Sequence, residues 1–150
     1  MYNSNEIPLI LFQAVVLLDL YPKSEIQIII HLLESDGSTI CAMINAVTLA
    51  LMDAGIAMSD MIVACSAGFI KQQLHQDLTQ VEQSAGGAYL PVAMKARSEE
   101  IVFMQLDSRL SVDNIEEALK TAIDGGRKIR TILQTGIRDR MCEALGRVEP

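Results

Sequence analysis

Residues 21–70 read YPKSEIQIIIHLLESDGSTICAMINAVTLALMDAGIAMSDMIVACSAGFI, and the succession of patterns within them decides the fold. Pro22 ends whatever precedes it, because the residue before a proline avoids the helical region. Ile26 to Leu33 is a run rich in isoleucine, as expected of a central strand covered on both faces. Ser35-Asp36-Gly37-Ser38 supplies a turn. From there to Ala54 the apolar spacing is helical, with an alanine-rich face suited to close packing, and Gly55 gives the C-terminal stop. Ile62 to Phe69 returns to a strand pattern, in which Ala67-Gly68 marks a close backbone approach.

Working outward, the segment Glu6 to Leu20 is predicted as a buried helix and residues 1–5 as a disordered start. Its apolar part, Ile7 to Leu18, lacks the basic flank and small-residue site of a targeting signal and is too short to span a bilayer. Downstream come a short strand near Leu74 to Leu78 and a loop from Thr79 to Ala88 with Gly86-Gly87 at its apex. A hairpin pair follows, Tyr89–Met94 and Ile101–Leu106, joined by the charged Lys95 to Glu100. Ser111 is a good N-cap for a closing helix over about residues 112–146, with Gly125-Gly126 and Gly136 as points where it could break. The expectation for 1–150 is a single partial domain of α/β (α+β) class, a mixed sheet packed with helices rather than a doubly wound nucleotide fold. Neither a GxGxxG turn nor a Walker sequence is present.

An apolar content of 50% with 21% charged residues fits a folded core and excludes a disordered tail. With no Trp and three each of Tyr and Phe, aliphatic residues and eight Met must fill the interior or serve a partner-facing surface. A net charge of -7 opposes unaided nucleic-acid binding, since Lys and Arg contacts to phosphate supply most non-specific affinity. The late cations Arg127, Lys128, Arg130, Arg138, Arg140 and Arg147 read as the solvated face and end of the closing helix, with an RNA-facing patch as the sharper alternative. Cys41, Cys65 and Cys142 form no CxxC and leave an odd count, which suits a reducing compartment and indicates neither a disulfide framework nor a zinc site. His31 and His75 lie far apart and read as structural residues. No cofactor or metal is expected.

Four pieces of the chain, YPKSEIQI, ESDGSTICAMINAVTLALMDAGIAMSD, IVACSAGFI and HQDLTQVEQSAGGAYLPVAM, follow one another in an order that resembles the exosome RNase PH-like subunits. The pairing of INAVTLALMDAGI with VACSAGF is the most specific part, and the likeness runs on through the closing helix. The resemblance implies an RNase PH-type fold whose N-terminal half is missing, because the family's first strands and several of its basic RNA contacts are not represented before Glu6. A truncated product, an alternative start or an incomplete gene model is the expectation. Uncovered sheet edges and helix faces would then favour instability unless a partner covers them.

Active members of that family use inorganic phosphate to cleave the 3′-terminal phosphodiester, so the site must neutralise two approaching anions. The resemblance implies an arginine after the glycine-threonine turn, where this chain has Ile40, which offers neither charge nor donor. It also implies a pair of metal-binding or proton-transferring aspartates, at positions that here hold Gln83 and Tyr89. Glu82 and Asp77 match acidic family positions outside that pair. Losing one such electrostatic contact costs about 10²- to 10³-fold in rate, so Ile40, Gln83 and Tyr89 together predict a vestigial phosphorolytic site without catalytic residues. Among the surviving polar residues, Asp36 reads as a cap for the following helix, Asp53 as a surface residue and Asp77-Leu78 as a strand-end turn. Asn45 reads as bonding backbone or a neighbour rather than RNA.

What the resemblance implies about function is a non-catalytic structural subunit supporting 3′-to-5′ RNA processing and decay, including rRNA maturation and mRNA decay. The implied partners are other RNase PH-like subunits in a hetero-hexameric ring, cap subunits and a hydrolytic nuclease, with RNA threaded through the assembled channel and no membrane involved. The implied locations are nucleus, nucleolus and cytoplasm. Two alternatives stay open: a phosphorolytic 3′-to-5′ exoribonuclease completed by a neighbouring subunit, and a truncated isoform that does not assemble.

Overall fold

The computed structural model describes residues 7–71, 73–84, 87–106, 108 and 110–146. The expectations for residues 1–5, Gly86 and Arg147 lie outside them. In chain order the elements are α1 (Ile7–Gln13), a 3-10 turn (Leu18–Leu20), α2 (Thr39–Asp53), β1 (Ile62–Ile70), β2 (Gln73–Gln76), α3 (Gln80–Ser84), β3 (Ala88–Lys95), β4 (Ile101–Met104) and α4 (Val112–Gly146).

The four strands form one sheet in the order β2-β1-β3-β4, and each neighbouring pair is antiparallel. The expected mixed sheet is therefore corrected to an antiparallel one. β1 sits inside the sheet with a helix on each face, which is why its residues from Ile62 to Gly68 are all buried. Ile62 and Ala64, with Ala93 of β3, join Ile44, Val47 and Leu51 of α2 and Phe12 and Val15 near α1 in the largest core cluster. The alternate residues Val63 and Ala67, with Leu90, Val92 and Met94 of β3, pack against Ala118, Ala122 and Leu133 of α4. A near-continuous apolar run, broken here only by Ser66, is what a strand covered on both faces requires.

Two N-terminal expectations are corrected. The helix predicted over Glu6 to Leu20 ends at Gln13, because the following residues bond to the loop before β1. Leu17 N–H donates to Ala57 at 3.0 Å, Ser59 N–H donates to the Val15 carbonyl at 2.8 Å, and Val16 bridges Met58. The segment Ile26 to Leu33, expected as a central strand covered on both faces, is assigned to no strand and has no ladder partner among the described residues. Its burial nonetheless alternates with a period of two, since Ile26, Ile28 and Ile30 pack on the α2-side core while Gln27, Ile29 and His31 are exposed.

Other differences are local. The alanine face of α2 looks outward at Ala42, Ala46 and Ala50, and the buried face is Cys41, Ile44, Val47, Thr48 and Leu51. α2 ends as expected at Gly55, whose φ of 69° lets the Ile56 N–H reach the Leu51 carbonyl at 3.0 Å. The loop after β2 contains α3. α4 runs unbroken through all three of its interior glycines, and Ser111 Oγ accepts the Asn114 N–H at 3.4 Å at its start.

Candidate functional site

β2 pairs only with the second half of β1, from Ala67 to Ile70, so the edge of β1 before Ala67 is left open beside α2. Asn45 and Thr48 of α2 take the place of a strand there. The Asn45 side chain donates to the Ala64 carbonyl and accepts the Ala64 N–H, both at 2.9 Å, and Thr48 Oγ1 donates to the Ile62 carbonyl at 2.7 Å. A single side-chain amide thus satisfies a donor and an acceptor that would otherwise be costly to leave unpaired. This bears out the backbone-bonding reading of Asn45.

Along this edge lies a cleft of about 440 Å³, lined by Asp36, Gly37 and Ser38 of the turn, Cys41 and Asn45 of α2, Cys65 of β1, and Asp77 to Thr79 after β2, among others. The turn enters α2 through Gly37 at φ 83° and Ser38 at φ 48°. A Cβ at Gly37 would collide with the Leu78 carbonyl oxygen, so only glycine allows the turn to press on the loop after β2. Ser38 is the N-cap residue of α2, yet its hydroxyl does not cap the helix. It shares a 2.6 Å hydrogen bond with Ser66 Oγ and donates to the Leu78 carbonyl at 3.4 Å. Asp36 is a correction, because Oδ1 accepts the Gln80 N–H at 3.2 Å and so caps α3 rather than α2.

The three positions singled out from the sequence do not share one orientation. Ile40, in the first turn of α2, is half-buried against the α2-side core and is not part of the cleft wall. Gln83 lies on α3 and its Nε2 donates to the Leu78 carbonyl at 3.3 Å, the same oxygen that Ser38 touches. Tyr89 stands on β3 opposite Gly68 of β1, with its hydroxyl close enough to Ser38, Ser66 and Cys41 to interact with each. Gln83 and Tyr89 therefore converge on the Ser38–Leu78 contact, and Ile40 does not join them.

Burial keeps the thiols and the phenol at this site in their neutral forms. Burial pushes the Cys41 thiol up to about 12, helped by Cys65 and Asp77, and pushes Cys65 up to about 11. The Tyr89 phenol is raised as well, chiefly by burial. Glu82 goes the other way, its carboxylate stabilised by the Thr79 N–H at 2.8 Å and the Thr79 hydroxyl at 2.9 Å. Lys128, whose charge reaches Cys65, donates to Gln76 Oε1 at 3.2 Å.

The donor set does not fit the groups that phosphorolysis needs. The described residues lining the cleft include Asp36 and Asp77 and neither Lys nor Arg, a balance that opposes a phosphate anion. Magnesium requires converging oxygen ligands with one or two carboxylates, and no group of three or more His, Cys, Asp or Glu able to hold a metal occurs among the described residues. The Ser38–Ser66 pair and the thiols around it were missed from the sequence. Ser66, polar within an otherwise apolar strand, was the available signal, since a buried hydroxyl needs a partner.

The chain is similar to known proteins along most of its length. Residues 10–57 match the 3′ exoribonuclease family, domain 1, and residues 60–125 match domain 2 of the same family. The chain is 42% identical over 133 residues to the exosome complex component RRP41 of Mus musculus, covering 89% of this chain and 54% of that protein. It is 33% identical over 137 residues to the exosome complex component Rrp41 of Pyrococcus abyssi, covering 91% and 55%. The chain thus spans about half the length of the relatives it matches. The crystal structure of rice Rrp46 superposes with a TM-score of 0.81 at 18% identity, over 89% of this chain and 63% of that one, a likeness of fold.

Proposed function

The chain belongs to the 3′ exoribonuclease (RNase PH) family, and from that membership we propose that it is a non-catalytic, RNase PH-like subunit of an exosome core. The observation that carries the non-catalytic part is the cleft at the β1 edge. Its described wall carries Asp36 and Asp77 without a cation, and Tyr89 reaches the Ser38–Ser66 hydroxyls where the family resemblance calls for a carboxylate. Two anions brought into such a site would meet repulsion rather than neutralisation. The relatives being named exosome components supports assembly with other RNase PH-like chains in a hetero-hexameric ring, with cap subunits and a hydrolytic nuclease acting on RNA threaded through it. On this reading the chain works in rRNA maturation and mRNA decay, in nucleus, nucleolus and cytoplasm.

Co-expression with the other RNase PH-like chains of the same organism tests the assembly. Co-elution of this chain in a complex near the mass of the ring is expected. Elution as a monomer while the other chains associate without it would contradict the proposal.

A further inference from the structure

A second cavity, of about 530 Å³, lies beside the start of β1, and the proposed function leaves it unused. Its walls come from the loop that follows α2, the turn after β3 and the second half of α4. Hydrogen bonds to backbone fix this frame: the Ala96 N–H donates to the Met61 carbonyl at 2.8 Å, and Arg130 Nη1 donates to the Ala96 carbonyl at 2.7 Å. Four of the eight methionines, Met52, Met58, Met61 and Met141, line the cavity. Thioether side chains are apolar and flexible, and they adapt to a ligand of irregular outline. Arg97 and Arg130 line it too, and neither is ion-paired among the described residues. The carboxylates beside them are engaged elsewhere. Asp60 accepts the N–H groups of Met61 at 2.8 Å, Arg97 at 3.1 Å and Ser98 at 3.4 Å, and Glu99 is held by Arg127.

From this arrangement we propose that the cavity binds a small alkyl monocarboxylate, its chain among the methionines and its head on Arg97 and Arg130. The volume is that of a small-molecule site, where an apolar lining carries a few polar groups that orient the ligand. A guanidinium presents paired N–H donors that match a carboxylate. A single negative charge is selected, because Asp60 is bonded at the Arg97 backbone and Glu99 feels the Arg130 charge, and both carboxylates oppose a dianion. A nucleic-acid backbone would leave the thioether lining unused. A peptide C-terminus is disfavoured, since the backbone groups it would need are taken: the N–H groups of Met61, Arg97 and Ser98 by Asp60, and the Met61 and Ala96 carbonyls by Ala96 and Arg130. The cavity shares no lining residue with the cleft, so its ligand is independent of the assembly proposed above.

The test is an NMR titration of the full chain, isotope-labelled at its methionine methyl groups, with sodium decanoate. The methyl signals of Met52, Met58, Met61 and Met141 should move together and saturate, while those of Met43, Met94 and Met104 should stay in place. Decanol, which has the chain without the charge, should bind at least about tenfold more weakly. Arg97→Gln, at an exposed position, should weaken decanoate by at least about tenfold, and so should Arg130→Gln, with Arg130→Lys losing less. Equal binding of decanol and decanoate overturns the proposal as apolar adhesion only, and so does unchanged affinity in both Gln variants. Tighter binding of N-acetyl-Leu-Leu than of decanoate overturns it in favour of a polypeptide C-terminus. Shifts confined to Met43, Met94 or Met104, or no shift at all, overturn it outright.

Discussion

Tyr89 stands where the fold brings three elements to one point, and its neighbours explain its chemistry. The phenol lies among the Ser38 and Ser66 hydroxyls and the Cys41 thiol, all buried, so its ionised form is disfavoured and it acts as a neutral member of a polar cluster. Tyr89→Phe is expected to lower stability by about 1 kcal/mol, the usual net value of a lost hydrogen-bonding group, measured by urea denaturation. The thiols give a pH test. Cys41 is raised by burial from 9.0 to about 12, so the folded state keeps its proton where the unfolded state loses it. Stability is unaffected below pH 9 and falls as pH rises from 9 toward 12, by up to about 1.4 kcal/mol per pH unit from this thiol, with Cys65 adding in the same direction. Ellman's reagent at pH 8 should accordingly find one fast thiol in the native chain, the exposed Cys142, and three in denaturant.

At the scale of elements, α4 and α2 show how two helices share the faces of one strand. Gly125 of α4 is pressed on β1 and β2, since a Cβ there would collide with Cys65 Sγ, while a Cβ at Gly136 meets nothing within 4 Å. The same substitution should therefore have opposite signs at the two positions. Gly136→Ala should stabilise by about 1 kcal/mol through helix propensity. Gly125→Ala should destabilise by about 1–3 kcal/mol because overpacking outweighs that gain, both read as shifts in melting temperature. Asn45→Ala removes the partner of both Ala64 backbone groups and should cost about 2–4 kcal/mol, since each buried orphan costs about 1–3. Most of these elements were legible in the sequence, because β1, α2, the β3–β4 hairpin and α4 have strong periodicity and clear stops. What the pattern did not give were features fixed by distant contacts. The early end of α1 depends on hydrogen bonds to residues 57–59, and the cap made by Asp36 belongs to a helix more than forty residues away. Within the site, Gln83 and Tyr89 both reach the Ser38–Leu78 contact, whereas Ile40 packs on the core, an orientation that only packing decides.

On the scale of the whole molecule, charge and uncovered surface both point to partners. A chain of net charge -7 has little to offer an RNA backbone by itself, and several of its cations are already paired: Arg127 with Glu99 and Asp124, and Arg140 with Asp53. The isolated chain should leave a single-stranded RNA unshifted in a gel at about 150 mM salt, where screening further weakens surface electrostatics. The cleft is tested by release of nucleoside diphosphate from a 3′-labelled RNA by the purified chain, alone and assembled, with orthophosphate and Mg²⁺ varied. No orthophosphate-dependent product above a blank is expected from the chain alone, and no loss of any product from the assembly when Phe replaces Tyr89. Orthophosphate-dependent nucleoside diphosphate formation by the chain itself would contradict the non-catalytic reading.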